Sequence, residues 1–138
     1  MTERLPDWEA RLADYLIQWD GASYAYGTAD CAKFAAGAIE AQTGVDYYAP
    51  FAGQYDSATS AAKALRSIGA GTLKKTFDKH LAERAVAFAR RGDIVFDGNA
   101  VGVCVGADGV FIGQEGENEG LVRKARHEWT RAWAVGDE

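Results

Sequence analysis

The sequence predicts an α+β domain in which helices come first and an antiparallel sheet follows. Three observations lead there. Apolar residues recur at three- and four-residue spacing in the first half. Short runs rich in Val, Ile and Phe fill the second half. Gly-bearing connections of a few residues separate those runs, which favours an antiparallel meander. At 138 residues the chain has room for one domain, spanning 1–138.

The elements follow in order. Asp7 is placed to cap a first helix whose apolar face is Trp8, Leu12, Tyr15, Leu16 and Trp19, and Gly21 ends it. A loop through Tyr24, Tyr26 and Gly27 leads to a second helix from about Asp30 to Thr43. Asp30 is its N-cap, Cys31 its first helical residue and Gly44 its stop. Small residues on every face of this helix predict close packing on a sheet. A third helix is expected from about Asp56 to Ile68. A short basic helix with Lys74, Lys75, Phe77, Lys79, His80 and Leu81 follows. Strands are then expected at Ile94–Phe96, Asn99–Gly106, Gly109–Gly113, Leu121–Ala125 and Trp129–Val135.

Composition narrows the function classes. An apolar fraction of 48% with four Trp, six Tyr and six Phe supports a packed core. A net charge of −5 disfavours binding of nucleic acid by charge alone. No apolar run reaches the roughly 18 residues of a membrane span. The N-terminal residues lack the pattern of a signal peptide. Two Cys and two His, none clustered, offer no structural zinc site, and no cofactor is indicated.

The chemistry centres on Cys31. A glycine turn, then Asp30-Cys31, then a helix, places a thiol where backbone N–H groups and the macrodipole favour thiolate. A nucleophilic cysteine needs such a setting. A buried packing role for a free Cys is the competing reading. His127, in the basic turn Lys124–Trp129, reaches Cys31 only if that turn folds over the active face of the sheet. His80 sits among lysines on a solvated helix face. Cys104 shares strand parity with Ala100 and Gly102, so it borders Cys31 if that face meets the helix. A Cys31–Cys104 disulfide is not expected. Gln114–Gly120 reads as an acidic hairpin tip without calcium-loop spacing. Tyr47, Tyr48, Phe51 and Tyr55 line a cleft for glycan or peptide, cap the core, or meet another protein.

The ordered set Trp8 with Arg11-Leu12, Tyr24-Ala25-Tyr26-Gly27, Asp30-Cys31-Ala32 with Phe34-Ala35-Ala36, and Thr43-Gly44 with Asp46 continues through Gly53 with Tyr55. It ends with Gly92-Asp93-Ile94-Val95, Gly102-Val103-Cys104-Val105-Gly106 and Ala132-Trp133 with Val135. In this order the chain resembles the NlpC/P60 branch of papain-like cysteine peptidases. More closely, it resembles a phage-associated branch, the DUF6950-type proteins encoded among tail-tip genes.

The resemblance implies a papain-like fold with the Cys-bearing helix packed on an antiparallel sheet. It makes Cys31 the nucleophile and Tyr24 a support for the oxyanion, with a core aromatic as the alternative for Tyr24. Active NlpC/P60 enzymes begin a strand Gly-His-Val-Gly with their histidine base. Here the strand reads Asn99-Ala100-Val101-Gly102, so Ala100 occupies the base position. A free thiol is only a few per cent thiolate at neutral pH. Loss of the base typically costs about 10²–10⁴-fold in rate, and His127 is the substitute to consider. The implied function is a tail-tip component of a phage or phage-derived particle. It would be catalytically degenerate, assembled in the host cytoplasm and bound to hub and distal tail proteins. The alternative is an active peptidoglycan endopeptidase working through Cys31 during genome entry.

Overall fold

The computed structural model describes residues 3–113 and 120–136. Four helices precede a sheet: α1 (Trp8–Trp19), α2 (Cys31–Thr43), α3 (Ala58–Ser67) and α4 (Leu73–His80). The strands are β1 (Glu83–Arg84), β2 (Ile94–Phe96), β3 (Val101–Cys104), β4 (Asp108–Ile112), β5 (Leu121–Ala125) and β6 (Arg131–Trp133). All pairings are antiparallel and the order across the sheet is β1-β6-β2-β3-β4-β5.

The α+β class is therefore present, but the expected meander covers only β2 to β5. β6 returns to lie between β1 and β2, with Ile94 opposite Trp133. Arg126 explains the turn-back. It sits on the 3-10 turn after β5, and its guanidinium donates to the carbonyls of Val86, Ala89 and Gly106. This pulls the chain across the sheet, and Ala132 and Trp133 then become fully buried.

Several local expectations change. Asp7 occupies the N-cap of α1, but its side chain makes no capping bond. The strand expected from Asn99 starts only at Val101, because Asp97 Oδ1 accepts the backbone N–H groups of Asn99 and Ala100 and holds both in a turn. β1 carries no sequence signal, since a two-residue edge pair is too short to show alternation. The strand expected over Trp129–Val135 is confined to Arg131–Trp133. The acidic tip at 114–119 lies outside the described residues.

α2 is the axis of the fold. Its N-cap Asp30 accepts from Lys33 N, and Gly44 at φ 82° ends it. α1 lies close against it because Gly37 has no side chain. A Cβ there would stand 2.0 Å from the Tyr15 hydroxyl. That hydroxyl donates to Phe34 O at 2.8 Å. At the far end, buried Gln42 donates to Gly92 O at 2.9 Å and ties α2 to the start of β2. Next to it, fully buried Asp93 accepts from Arg90 N and Val135 N and pairs with Arg84 at 2.9 Å and Arg4 at 3.6 Å.

The two faces of the sheet carry separate cores. Ile94, Val101, Val103, Val110, Ile112 and Trp133 face α2, packing with Cys31, Phe34, Ala35, Ala38 and Ile39. Val95, Cys104, Phe111, Trp129 and Ala132 form the opposite cluster. The conditional expectation for Cys104 therefore resolves against it. Period two turns Val101 and Val103 toward the helix and Cys104 away, and its thiol donates to Gly106 O at 3.4 Å. Both cysteines are free. Among the described residues no helix is long and apolar enough to cross a membrane.

Candidate functional site

The site forms where α2 begins. Tyr24-Ala25-Tyr26-Gly27-Thr28-Ala29 folds back on itself through paired Ala25 and Ala29 backbone bonds of 3.1 and 2.7 Å. Gly27 makes the turn possible at φ 87°, and a Cβ there would meet Tyr55 O at 2.3 Å. The chain enters α2 at Asp30, which is 2% exposed and fully engaged. Its Oδ1 accepts from Lys33 N at 2.8 Å. Its Oδ2 accepts from Gly27 N at 2.8 Å and from the Tyr55 hydroxyl at 2.6 Å. Tyr48 in turn donates to the Tyr55 oxygen at 2.9 Å. One carboxylate thus caps the helix and anchors the aromatic loop.

Cys31 follows at 9% exposure. Burial pushes its thiol up from the ordinary range. The Val101 backbone and the Tyr24 hydroxyl pull the other way, while the neighbouring Asp30 charge adds to the rise. The net direction is upward, with burial and the Asp30 charge outweighing the hydrogen bonds that favour thiolate. Tyr24 stands edge-on to Tyr26, ring centroids 5.3 Å apart. Burial raises the Tyr24 hydroxyl too, with the Cys31 charge as the next cause.

Cys31 and Tyr24 open onto a cavity of about 280 Å³. Its walls come from the aromatic loop, the inner side of α3 and α4, and Ala100. Ala100 is thus brought to the same cavity as Cys31. His127 is not. It lies exposed on the 3-10 turn Arg126–Glu128 and does not line this space. The imidazole that does line it belongs to His80, which the sequence placed on a solvated face. His80 is exposed yet sits at the rim, tilted against Tyr47 with centroids 4.6 Å apart. Burial of its inner side, and Lys79 after it, lower its proton affinity, which favours the neutral imidazole. The tyrosine-rich loop does line a cleft, and Tyr47, Tyr48, Phe51 and Tyr55 all face it. The signal for His80 was weak because its pairing with Tyr47 spans 33 positions of chain.

The arrangement offers a thiol with a raised pKa, an imidazole at the rim, the Asn99 side chain and the hydrogen-bonded Tyr48–Tyr55 hydroxyl pair. Among the described residues no lysine or arginine lines the cavity. Among the described residues no group of three or more His, Cys, Asp or Glu side chains is placed to hold a metal ion.

No curated protein matches the chain. A family model described as a domain of unknown function, DUF6950, matches residues 3–135. That match runs from before α1 to beyond β6 and includes every residue of the cavity, so the chain belongs to the DUF6950 family.

Proposed function

We propose that this chain is a tail-tip component of a phage or phage-derived particle, built on an NlpC/P60-like peptidase fold that no longer hydrolyses peptides and serves assembly. The observation that carries the non-hydrolytic part is the pairing of Cys31 with Ala100 on one cavity. The thiol is held protonated, and the position matching the family base carries a methyl group. Acyl transfer needs a base to take the thiol proton and an acid to protonate the leaving amine. Asp30 is the nearest carboxylate in sequence, and its hydrogen bonds are committed to Gly27, Lys33 and Tyr55. The tail-tip assignment rests on the ordered resemblance along the chain.

The test has two parts. Purified peptidoglycan is incubated with the protein and with Cys31→Ala, and released amino groups are counted. Equal, background release is expected. The chain is also co-expressed with the hub and distal tail proteins of its own particle, and stable co-purification is expected. Failure to join either protein overturns the assembly role.

A second reading, a cell-wall endopeptidase acting through Cys31, draws on the Tyr24 hydroxyl beside the sulfur and the His80 imidazole at the rim. Release of stem peptides that depends on both Cys31 and His80 would establish it.

A further inference from the structure

α2 separates two flanks of the molecule. Its Phe34, Gly37 and Ala41 face α1. The Tyr15 hydroxyl donates to Phe34 O at 2.8 Å and lies over Gly37, and Arg11 Nε donates to Ala41 O at 2.7 Å. Its Ala32, Ala36 and Ile39 instead line the cavity, which α3 lines with Ala61 and Leu65 and α4 with Thr76 and Phe77. At about 100° per residue the two sets of α2 positions lie roughly half a turn apart. α1 and the α3–α4 pair therefore stand on opposite flanks of α2.

The outer faces of these flanks carry opposite charge. α1 buries Leu12 and packs Trp8, Tyr15 and Trp19 on the core. Away from that stripe stand Ile17, 71% exposed, and the exposed carboxylates of Asp7, Glu9, Asp14 and Asp20. None of these carboxylates has an ion pair among the described residues. The nearby cations are turned inward, Arg11 to Ala41 O and Arg4 to Asp93 and Arg91 O. On the other flank, the period that turns Ala61 and Leu65 inward turns Lys63 and Arg66 outward, and α4 likewise presents Lys75 and Lys79. All four cations are exposed and none has an ion pair among the described residues. Asp78 within α4 is committed to Lys74, Arg131 and Trp133, and Asp56 before α3 accepts from the Ser60 hydroxyl. A two-fold contact sets one patch against itself, which here sets like charge against like. Opposite charge on opposite flanks suits a heterologous contact, each copy offering one wall to the next. An acidic protein or polymer would use the basic wall alone and leave Ile17 in water. The net charge of −5 opposes association only weakly in about 0.15 M salt, where the screening length is about 8 Å.

We propose that copies of this chain associate head to tail, the acidic outer face of α1 in one copy docking on the basic outer face of α3 and α4 in the next. This deepens the assembly reading by naming a second copy of the chain as a partner, and it rests on that reading only in that the fold serves contacts between proteins.

Sedimentation velocity at rising protein concentration, in about 0.15 M salt, reads the contact. The weight-average mass is expected to rise above that of the monomer. It should fall back in about 1 M salt, where the screening length is about 3 Å. Two charge-reversed variants carry the test, Asp14→Lys with Asp20→Lys and Lys63→Glu with Lys75→Glu. All four positions are exposed, and both variants are expected to keep the helical circular dichroism of the wild type. Glu9→Lys with Asp20→Lys replaces the first pair should it not fold. Each variant alone should raise the dissociation constant at least about tenfold. An equimolar mixture should restore association, because one variant then offers two basic walls and the other two acidic ones.

A wild type that stays monomeric at every concentration overturns the proposal. So does a variant that self-associates like the wild type, or a mixture of folded variants that fails to restore association. A monomeric wild type that binds soluble polyglutamate through Lys63 and Lys75 would give the basic wall to a different acidic partner and also overturns it. The two readings fail separately. A monomer that still co-purifies with the hub and distal tail proteins ends the head-to-tail contact and leaves the tail-tip role standing. A self-associating chain that joins neither protein ends the tail-tip role and leaves the contact intact.

Discussion

Tyr55 donates its hydroxyl to Asp30 Oδ2 at 2.6 Å, so the aromatic loop is fastened to the N-cap of the cysteine helix. The two residues are 25 positions apart, and both line the cavity that Cys31 lines. Tyr55→Phe removes this bond and the one that Tyr48 donates to the Tyr55 oxygen, and should cost about 1–2 kcal/mol, typical of one or two net side-chain hydrogen bonds. Asp30→Ala removes the cap as well and should cost about 2–3 kcal/mol. Urea unfolding of the two variants measures the difference. Equal costs would mean that the cap contributes no more than the Tyr48 bond.

The state of the Cys31 thiol is directly measurable. Burial is the main cause of its raised pKa, with the Asp30 charge contributing. Labelling of Cys31 by methyl methanethiosulfonate should therefore be slow at pH 7 and rise only well above the ordinary thiol range near 8.5. Asp30→Asn should shift that rise to lower pH by removing the adjacent negative charge. A wild-type profile that is already flat at pH 7 would show a thiolate and reopen hydrolysis.

Gly27 tests how tightly the loop is built. At φ 87° a side chain is strained, and the Cβ of an alanine would stand 2.3 Å from the backbone oxygen of Tyr55. That atom is main chain and cannot swing aside. Gly27→Ala is expected to destabilise by about 2–3 kcal/mol from the clash and the positive φ together. It should also raise the labelling rate of Cys31 as the loop shifts. Unchanged urea and labelling curves would show that the loop is free to move.

What the sequence revealed follows how local each feature is. The start and stop of α2 were legible because Asp30 and Gly44 act within one helical turn of themselves. The strands from Ile94 to Ala125 were legible, within a few residues, from β-branched runs and glycine turns. The return of β6 was not, since Arg126 directs it through carbonyls 20 to 40 positions away. Parity grouped Ala100, Gly102 and Cys104, but it does not state which face meets a helix, and Cys104 turned out to face the other core. Within the site, the Asp30-Cys31 pair and the tyrosine loop could be picked out by residue type. The Tyr48–Tyr55–Asp30 relay and the rim position of His80 could not, because they depend on how α3 and α4 close the cavity.

Asp78 sets an acid limit on the link between α4 and β6. Its carboxylate accepts from Trp133 Nε1 at 2.8 Å and Arg131 Nε at 2.9 Å and pairs with Lys74 at 3.2 Å. Burial pushes its pKa up, but these donors outweigh it and the net shift is downward. A carboxylate with a lowered folded pKa stabilises above its unfolded value of about 3.9, and that stability is lost as pH falls through the folded value. Asp78→Asn should therefore cost about 1–2 kcal/mol at pH 7 and much less near pH 3. Parallel stability curves for wild type and variant across that range would refute the assignment.

Ala100→His asks whether the cavity can hold the geometry of a cysteine–histidine pair. Ala100 is half-buried and lines the same cavity as Cys31. The turn before it is held by Asp97, which also pairs with Lys124, so the position is anchored. An imidazolium there would oppose both the burial and the Asp30 charge that keep the thiol protonated. A nearby opposite charge typically lowers a pKa by about 1–3 units, so labelling at pH 7 should rise about tenfold or more. Peptide hydrolysis need not return with it, because turnover also demands an oriented imidazole and a donor for the leaving group. An unchanged labelling profile in a folded Ala100→His variant would show that the two positions do not face each other, and the proposed match of Ala100 to the histidine position of NlpC/P60 enzymes would fall.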